Sequence, residues 1–163
     1  MKTDHIIAAL AGTYSLINST ACASWQNGTI IPNSWGLNPV GLLTYTRYGY
    51  MAASMAATEE RWRPQNISWP PKDSDSDADW ALVGRHSMSY TGLFSLNESV
   101  PATKYQGQLL HGPMVAASVP AMVGSTSVRN YEVHEREDGI YLMVWLVSGS
   151  VRSEMWWKRV AKG

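Results

Sequence analysis

Two histidines and one tyrosine are the residues of this chain best suited to acid–base chemistry. His111 lies in an apolar stretch directly before Gly112-Pro113, a pair that predicts an edge or a bulge in a strand. Residues 76–89 predict a short helix, and His86 and Tyr90 fall near one face at its end. Imidazole transfers protons near neutral pH, and a phenol donates hydrogen bonds. We therefore take His111, His86 and Tyr90 as candidate catalytic residues; a structural histidine at the bulge and a solvated helix face are the alternatives.

Arg129 is the candidate for binding an anionic or enolate oxygen, because it shares a predicted strand face with Tyr131 and Val133. The alternative, which we favour, is that its guanidinium stacks on an aromatic ring such as Tyr14 or Trp157 and plugs the closed end of a barrel. The other candidate ligand contacts are large side chains, and for each of them core packing is the alternative: Tyr14, Trp35, Tyr45, Met51, Met55, Tyr131, Trp145 and Trp157.

The composition favours an apolar ligand over a charged polymer. The 163 residues include eight Trp, eight Tyr and eight Met against one Phe. Such side chains suit a pocket for a large, mostly apolar molecule, although a sheet covered with aromatic residues would have the same composition. The formal net charge is zero and 16% of the residues are charged, so nothing indicates binding to nucleic acid or to an anionic membrane.

The motifs of metal, redox and phosphoryl chemistry are absent from the sequence. Cys22 is the only cysteine, which excludes an internal disulfide and the paired-cysteine zinc motifs. The aspartates between residues 73 and 79 do not form a calcium loop, because Ala78 and Gly84 occupy the positions that require Gly and Glu. There is no nucleophile elbow, phosphate-binding loop or dinucleotide fingerprint. We expect neither a metal nor another cofactor.

A hairpin over residues 39–53 is the clearest local prediction. Two apolar arms flank Arg47-Tyr48-Gly49, and Met51, Ala53 and Met55 fall on one face of the second arm. The other predicted strands are joined by short turns: residues 14–17, 29–31 after an Asn-Gly turn, 93–97, 106–117, 125–135, 140–147 and 151–160. Together they predict a single mainly-β domain over residues 1–163, an antiparallel up-and-down barrel of about eight to ten strands with one short α-helix.

Six short motifs extend in order along nearly the whole chain. They are Gly12-Thr13-Tyr14-x-Leu16, Pro39-Val40-Gly41-x-Leu43-x-Tyr45-Thr46-x-x-Gly49-Tyr50-Met51-x-Ala53, Tyr90-x-Gly92, His111, Gly124-Ser125-x-x-x-Arg129 and Trp157-Lys158-Arg159-Val160. This series resembles the lipocalin-like family found in bacteria and beside fungal natural-product genes. The chain departs from the family pattern at Tyr14, where Trp is usual, and in residues 67–79, which we interpret as an added loop near the pocket mouth.

The resemblance implies a calycin-type barrel with a central pocket. Some fungal members are cofactor-free cyclases or pericyclases acting on polyketide-derived intermediates. We therefore expect a cyclase or isomerase of secondary metabolism that acts on a hydrophobic polyketide- or terpenoid-derived intermediate. A non-catalytic carrier of a small hydrophobic ligand is the second hypothesis, and a secreted defence or adhesion barrel is a third.

The expected partner is a small, hydrophobic, oxygenated molecule, bound by a monomer or a homodimer with no membrane span. The expected location is the cytoplasm. A weakly signal-like N-terminus ending at Ala21-Cys22-Ala23 and four Asn-x-Ser/Thr triplets would instead fit secretion. Against secretion, cleavage there would remove the strand predicted at residues 14–17.

Overall fold

Ten antiparallel strands form the fold, and eight of them close a barrel. A computed structural model describes residues 3–18, 23–26, 29–32, 35–149 and 151–163. The strands are β1 (Gly12–Asn18), β2 (Ala23–Gln26), β3 (Thr29–Pro32), β4 (Val40–Tyr45), β5 (Tyr50–Ala56), β6 (Ser87–Leu96), β7 (Gln106–Ala117), β8 (Ser127–Arg136), β9 (Gly139–Ser148) and β10 (Val151–Lys162). The helices are α1 (Thr3–Leu10) and α2 (Asp77–Arg85), and short 3₁₀ turns lie at Glu60–Trp62 and Pro120–Met122.

The barrel closes because β1 pairs with both β4 and β10. From β4 to β10 each strand pairs with its neighbour in the sequence, and the β2–β3 hairpin is attached to β10 at the pair Arg152–Trp25. This confirms the predicted antiparallel barrel of about eight to ten strands. The Asn27-Gly28 turn predicted between β2 and β3 lies outside the described residues, as do Ala21 and Cys22 of the signal-like site.

The β4–β5 hairpin has the predicted alternation. Met51, Ala53 and Met55 are at most 3% exposed, whereas Tyr50 and the other intervening residues face outward. Gly49 closes the turn at a φ of +79°, the left-handed region that glycine adopts without a steric penalty. Because Tyr45 pairs with Met51, the last residue of β4 and the second residue of β5 both enter the core.

Helix α1 covers one end of the barrel, so the described residues contain two short α-helices where one was predicted. Its Ile6, Ile7 and Leu10 are buried and belong to the same cluster as the barrel interior. This helix was not predicted from the sequence, because its apolar residues resemble the start of a signal segment. No helix in the described ranges is long and apolar enough to cross a membrane.

Helix α2 is shorter than predicted. Ser76 is its N-cap and accepts a hydrogen bond from the Asp79 amide at 3.4 Å, as the capping pattern indicates. The helix ends at Arg85, and β6 starts at Ser87. His86 therefore caps a helix while Tyr90 lies in a strand, so the predicted helical pairing of the two side chains is wrong. Residues 67–76 contain no helix or strand, and their interpretation as an added loop stays a prediction.

The bulge predicted at Gly112-Pro113 is present. The β6–β7 register shifts on both sides of Gly92, opposite this segment. Strand β7 pairs with β6 up to Ala117 but with β8 only up to His111, so Pro113 lies just past the point where the second ladder ends. His111 is thus the last residue of β7 in the ladder with β8, and beyond the bulge Met114 bonds to the backbone of Gly124 and Ser125.

Candidate active site

A tyrosine of β4 and a histidine of β7, separated by two strands in the sheet order, meet inside the barrel. The Tyr45 hydroxyl lies 2.6 Å from Nε2 of His111, and the two residues are 0% and 1% exposed. Phe94 is the ladder neighbour of His111 on β6, and its ring centroid lies 4.5 Å from that of Tyr45. The pair is therefore enclosed by aromatic side chains and excluded from water.

Burial determines the charge state of the pair. It is the main cause that lowers the pKa of His111 to about 3, and the positive charge of Arg129 lowers it further. Burial also raises the pKa of Tyr45 well above its usual value, with smaller increases from Tyr90 and Tyr14 and a decrease from Arg129. At neutral pH the imidazole is uncharged and the phenol keeps its proton.

The proton on the imidazole is assigned to Nδ1 by counting hydrogen-bond partners. If the Tyr45 hydroxyl donates to Nε2, only the Nδ1–H of His111 lacks a partner among the described residues. In the other tautomer the Tyr45 hydroxyl hydrogen and the Nδ1 lone pair would both lack one. A buried polar group without a partner costs about 1–3 kcal/mol, so the tautomer with a single unpaired group is preferred.

Arg129 brings a positive charge to this pair. It lies on the inward face of β8 with Tyr131 and Val133, as the alternation predicts. Its Nη1 donates to the carbonyl oxygen of Val128 at 2.9 Å, while its Nε is buried and has no partner within the described part of the chain. Burial raises the pKa of Tyr90, and the charge and a hydrogen bond of Arg129 oppose that rise. Arg129 therefore lies next to the Tyr90 hydroxyl.

The expected stacking of Arg129 on Tyr14 needs a correction, because Arg159 occupies that position. The Arg159 guanidinium carbon lies 5.0 Å from the centre of the Tyr14 ring, and its Nε donates to the Tyr14 hydroxyl at 3.1 Å. Its Nη2 also donates to that hydroxyl and, at 2.6 Å, to the carbonyl oxygen of Ala9 in α1. The Tyr14 hydroxyl in turn donates to the carbonyl oxygen of Leu10 at 2.7 Å. Arg159 and Tyr14 thus fix α1 to the barrel.

Tyr45, Tyr90, His111 and Arg129 form what we call the interior polar cluster. The rings of Tyr90 and His111 are 6.5 Å apart. Both phenols keep their protons, the imidazole presents an N–H, and the guanidinium stays charged. Such a set stabilises negative charge on an oxygen atom, whereas an imidazole with a pKa of about 3 is a weak base at neutral pH.

Methionine is frequent in the core that contains this cluster. Six of the eight methionines belong to the core or pack against it: Met51, Met55, Met88, Met114, Met122 and Met155. At the end of the barrel opposite α1, Met88, Met122 and Trp35 are only partly buried. Unbranched methionine side chains change rotamer at little cost, so this end can adapt to a ligand.

Tyr131 and Trp157 lie towards the α1 end. The Tyr131 hydroxyl donates to the carbonyl oxygen of Thr103 at 2.6 Å, so this hydroxyl has a hydrogen-bond partner within the protein. Trp157 is 1% exposed, and its Nε1 has no partner among the described residues. Both residues fill the core beneath the cluster, and their contact with a ligand stays a prediction.

Two predicted site residues lie away from the interior. His86 stacks on Trp62 outside the barrel, with ring centroids 4.2 Å apart. The expectation that Trp145 faces the cavity is corrected, because Leu142 and Val144 are the inward residues of β9 and Trp145 lies on the outer face. There the guanidinium of Arg152 covers its ring at 4.9 Å. The structure therefore does not bring His86 and Trp145 to the interior polar cluster.

Comparison with known sequences identifies the barrel. The lipocalin-like domain profile matches residues 11–160. The chain belongs to the lipocalin-like domain family. No curated protein and no solved structure gives a significant match to it. The lipocalin-like fold supports the interpretation of this barrel as a ligand-binding domain. The fold is also consistent with the binding of a small hydrophobic molecule.

Two grooves lie on the outer surface of the lipocalin-like barrel. A groove of about 520 Å³ lies along β4 to β7, where its outward lining includes Leu42, Thr44 and Ser54. A second groove of about 410 Å³ lies on the other side of Leu42. Neither brings charged side chains together. In the described ranges no three His, Cys, Asp or Glu side chains are placed to hold a metal ion.

Proposed function

We propose that this protein is a cofactor-free cyclase or isomerase that acts on a hydrophobic, oxygenated intermediate derived from a polyketide or a terpenoid. One observation carries the proposal. The Nδ1 of His111 and the Nε of Arg129 are buried donors without partners in the described part of the chain, and the side chains of the core around them are mainly apolar and aromatic. A ligand oxygen would satisfy both donors.

Catalysis would come from orientation and from stabilised charge. Aromatic and methionine side chains would hold a flexible substrate in a reactive conformer, which lowers the entropic part of the barrier. Arg129, Tyr90 and the Nδ1–H of His111 would stabilise the negative charge that develops on a carbonyl oxygen as it accepts electron density during cyclisation. A single donor placed in this way contributes about 10²–10³-fold in rate.

In this scheme Tyr45 is a positioning residue. Its hydroxyl donates a hydrogen bond to Nε2 of His111 over 2.6 Å. The proton of the ring then lies on Nδ1, on the side of the imidazole away from Tyr45. The substrate would enter at the end opposite α1, past the partly buried Met88 and Met122. Movement of these side chains would open the path without disturbing the strands.

The second candidate function is a non-catalytic carrier of a small hydrophobic ligand. The low basicity of His111 favours it, since a pKa of about 3 leaves the site without a strong base at neutral pH. A carrier would use the same donors to orient a ligand oxygen and would leave the ligand unchanged.

Turnover separates the two functions. Purified protein is incubated with the intermediates that accumulate in a strain lacking its gene, and the products are followed by mass spectrometry. We expect a new isomer, with a rate at least about 100-fold lower for Arg129→Met and for His111→Gln. The matched controls are Arg152→Met and His134→Gln on the outer face, which should retain the wild-type rate. Recovery of bound but unaltered compound would instead identify a carrier.

A further inference from the structure

We infer that the ligand of the barrel carries an anionic oxygen group, a carboxylate or an acidic enol, that binds between Arg129 and the Nδ1–H of His111. This inference rests on the proposed binding site and adds the chemical class of the group that occupies it. It follows from the charges, the positions and the hydrogen bonding of the two residues.

Arg129 has no carboxylate partner in the chain. All thirteen Asp and Glu residues lie in the described ranges. The ion pairs of those ranges join Lys104 to Glu135, His134 to Glu132, Arg152 to Glu154 and Lys158 to Asp138, and none includes Arg129. A cation that faces an apolar interior is stabilised by a nearby negative charge, which here would come from the ligand.

Arg159 shows how this fold treats an arginine with a structural role. Its guanidinium lies over Tyr14 and donates to two acceptors, the Tyr14 hydroxyl and the carbonyl oxygen of Ala9. Arg129 donates to the carbonyl oxygen of the adjacent Val128 and is hydrogen-bonded to Tyr90, but its buried Nε has no partner in the described part of the chain. Both arginines belong to barrel strands, but only Arg129 has a buried Nε without a partner in the described part of the chain.

The position of His111 completes the anion site. Arg129 pairs with Leu109 across the β7–β8 ladder, so His111, two residues further along β7, is its diagonal neighbour on the inward face. Diagonal neighbours are roughly 7–8 Å apart, a span that one carboxylate with two oxygens can bridge by hydrogen bonds. An anionic oxygen accepts from both donors, whereas a hydrocarbon or an ester alkoxy oxygen leaves at least one of them unpaired.

The test compares ligands that differ only in charge. Binding of dodecanoate and methyl dodecanoate, and of anthracene-9-carboxylate and its methyl ester, is measured by isothermal titration calorimetry at pH 7. We expect each acid to bind at least about tenfold more tightly than its ester. Arg129→Gln should remove this preference, Arg129→Lys should keep part of it, and Arg152→Gln on the outer face should keep all of it.

Several outcomes would overturn the inference. They are equal affinity for acid and ester in the wild type, an acid preference that persists in Arg129→Gln, and no binding of any of the four probes. Turnover is measured separately on the accumulated intermediates. Turnover without acid preference would refute the anion site and leave the proposed function standing. Acid preference without turnover would refute the enzyme and leave the anion site standing.

Discussion

The Tyr45 hydroxyl and the His111 imidazole form a buried hydrogen bond of 2.6 Å across 66 residues of sequence. Tyr45 ends the first arm of the β4–β5 hairpin, and His111 directly precedes the bulge in β7. Two strands, β5 and β6, separate them in the sheet order, so the bond exists only because the sheet curves into a closed barrel. It connects the most characteristic segment of the sequence to the buried imidazole of His111.

Loss of the Tyr45 hydroxyl should destabilise the protein. In Tyr45→Phe the ring remains, but Nε2 of His111 is left buried without a partner. We expect the free energy of unfolding, measured by urea denaturation at pH 7, to fall by about 1–3 kcal/mol.

The double variant Tyr45→Phe/His111→Phe tests whether this loss comes from the pair. Both polar partners are removed in the double variant, so no buried polar group is left unpaired. Its loss of unfolding free energy should therefore be smaller than the sum of the losses in Tyr45→Phe and in His111→Phe. Strict additivity would show that Tyr45 and His111 contribute independently, contrary to a shared hydrogen bond.

The folded state should lose stability in acid because of His111. Its pKa is about 3 in the folded protein against an ordinary value of 6.5, with burial as the main cause and Arg129 as the second. The contribution is fully present above pH 6.5 and is lost as the pH falls towards 3, because the unfolded chain takes up the proton first. The expected slope of its contribution to the free energy of unfolding is about 1.4 kcal/mol per pH unit between pH 4 and 6.

Two variants isolate the contribution of this imidazole. His111→Gln cannot titrate, so its denaturation series should lack that slope. Tyr45→Phe leaves the imidazole buried, so this variant should keep the slope although its overall stability is lower. Parallel pH profiles for the wild type and His111→Gln would show that His111 does not titrate with a lowered pKa.

Sequence periodicity predicted the features that depend on neighbouring residues. The hairpin at residues 39–53 and the shared face of Arg129, Tyr131 and Val133 follow from a period of two, which any regular strand imposes. The bulge at Gly112-Pro113 follows from the missing amide of proline. These features need no knowledge of which strands pair.

The features that were missed depend on how the barrel closes. Arg129 and Arg159 both occupy inward-facing positions of their strands. The pairing of β1 with β10 brings Tyr14 next to Arg159, and this pairing is not visible in the sequence. The helical pairing of His86 with Tyr90 failed because the helix ends at Arg85, one turn earlier than predicted, and β6 starts at Ser87. The Tyr45–His111 bond required the complete strand order.

The two inward arginines should have opposite effects on stability. Arg159→Met removes hydrogen bonds to Tyr14 and to Ala9, so the free energy of unfolding should fall by about 1–3 kcal/mol. Amide hydrogen exchange in α1 (Thr3–Leu10) should accelerate with it, since those bonds attach the helix. Arg129→Met removes a cation without a carboxylate partner and should raise the free energy of unfolding by about 1 kcal/mol.

This pair of variants distinguishes a functional arginine from a structural one. A residue retained for ligand binding at the expense of stability should show a gain in urea resistance together with a loss of activity. Equal destabilisation by Arg129→Met and Arg159→Met would assign both arginines to the scaffold and would remove the main support for the anion site.

Two glycines provide the sharpest test of how the site is shaped. A Cβ at Gly92 of β6 would lie 2.5 Å from the carbonyl oxygen of Pro113 and 2.8 Å from the Cα of Met114, both backbone atoms of the bulge in β7. Gly84 lies inside α2, and a Cβ there would meet nothing within 4 Å. We expect Gly92→Ala to lower the free energy of unfolding by about 1–3 kcal/mol and Gly84→Ala to raise it by about 0.5–1 kcal/mol.

The functional consequence follows from the position of Gly92. Strand β6 approaches the bulge of β7 closely at Gly92, where β6 has no side chain. The bulge directly follows His111 in β7. A methyl group at Gly92 would push β7 outward and lengthen the contact between His111 and Tyr45. Gly92→Ala should therefore reduce the acid preference in ligand binding as well as stability, while Gly84→Ala should leave the preference intact. Full acid preference in a destabilised Gly92→Ala protein would show that the bulge does not position the imidazole.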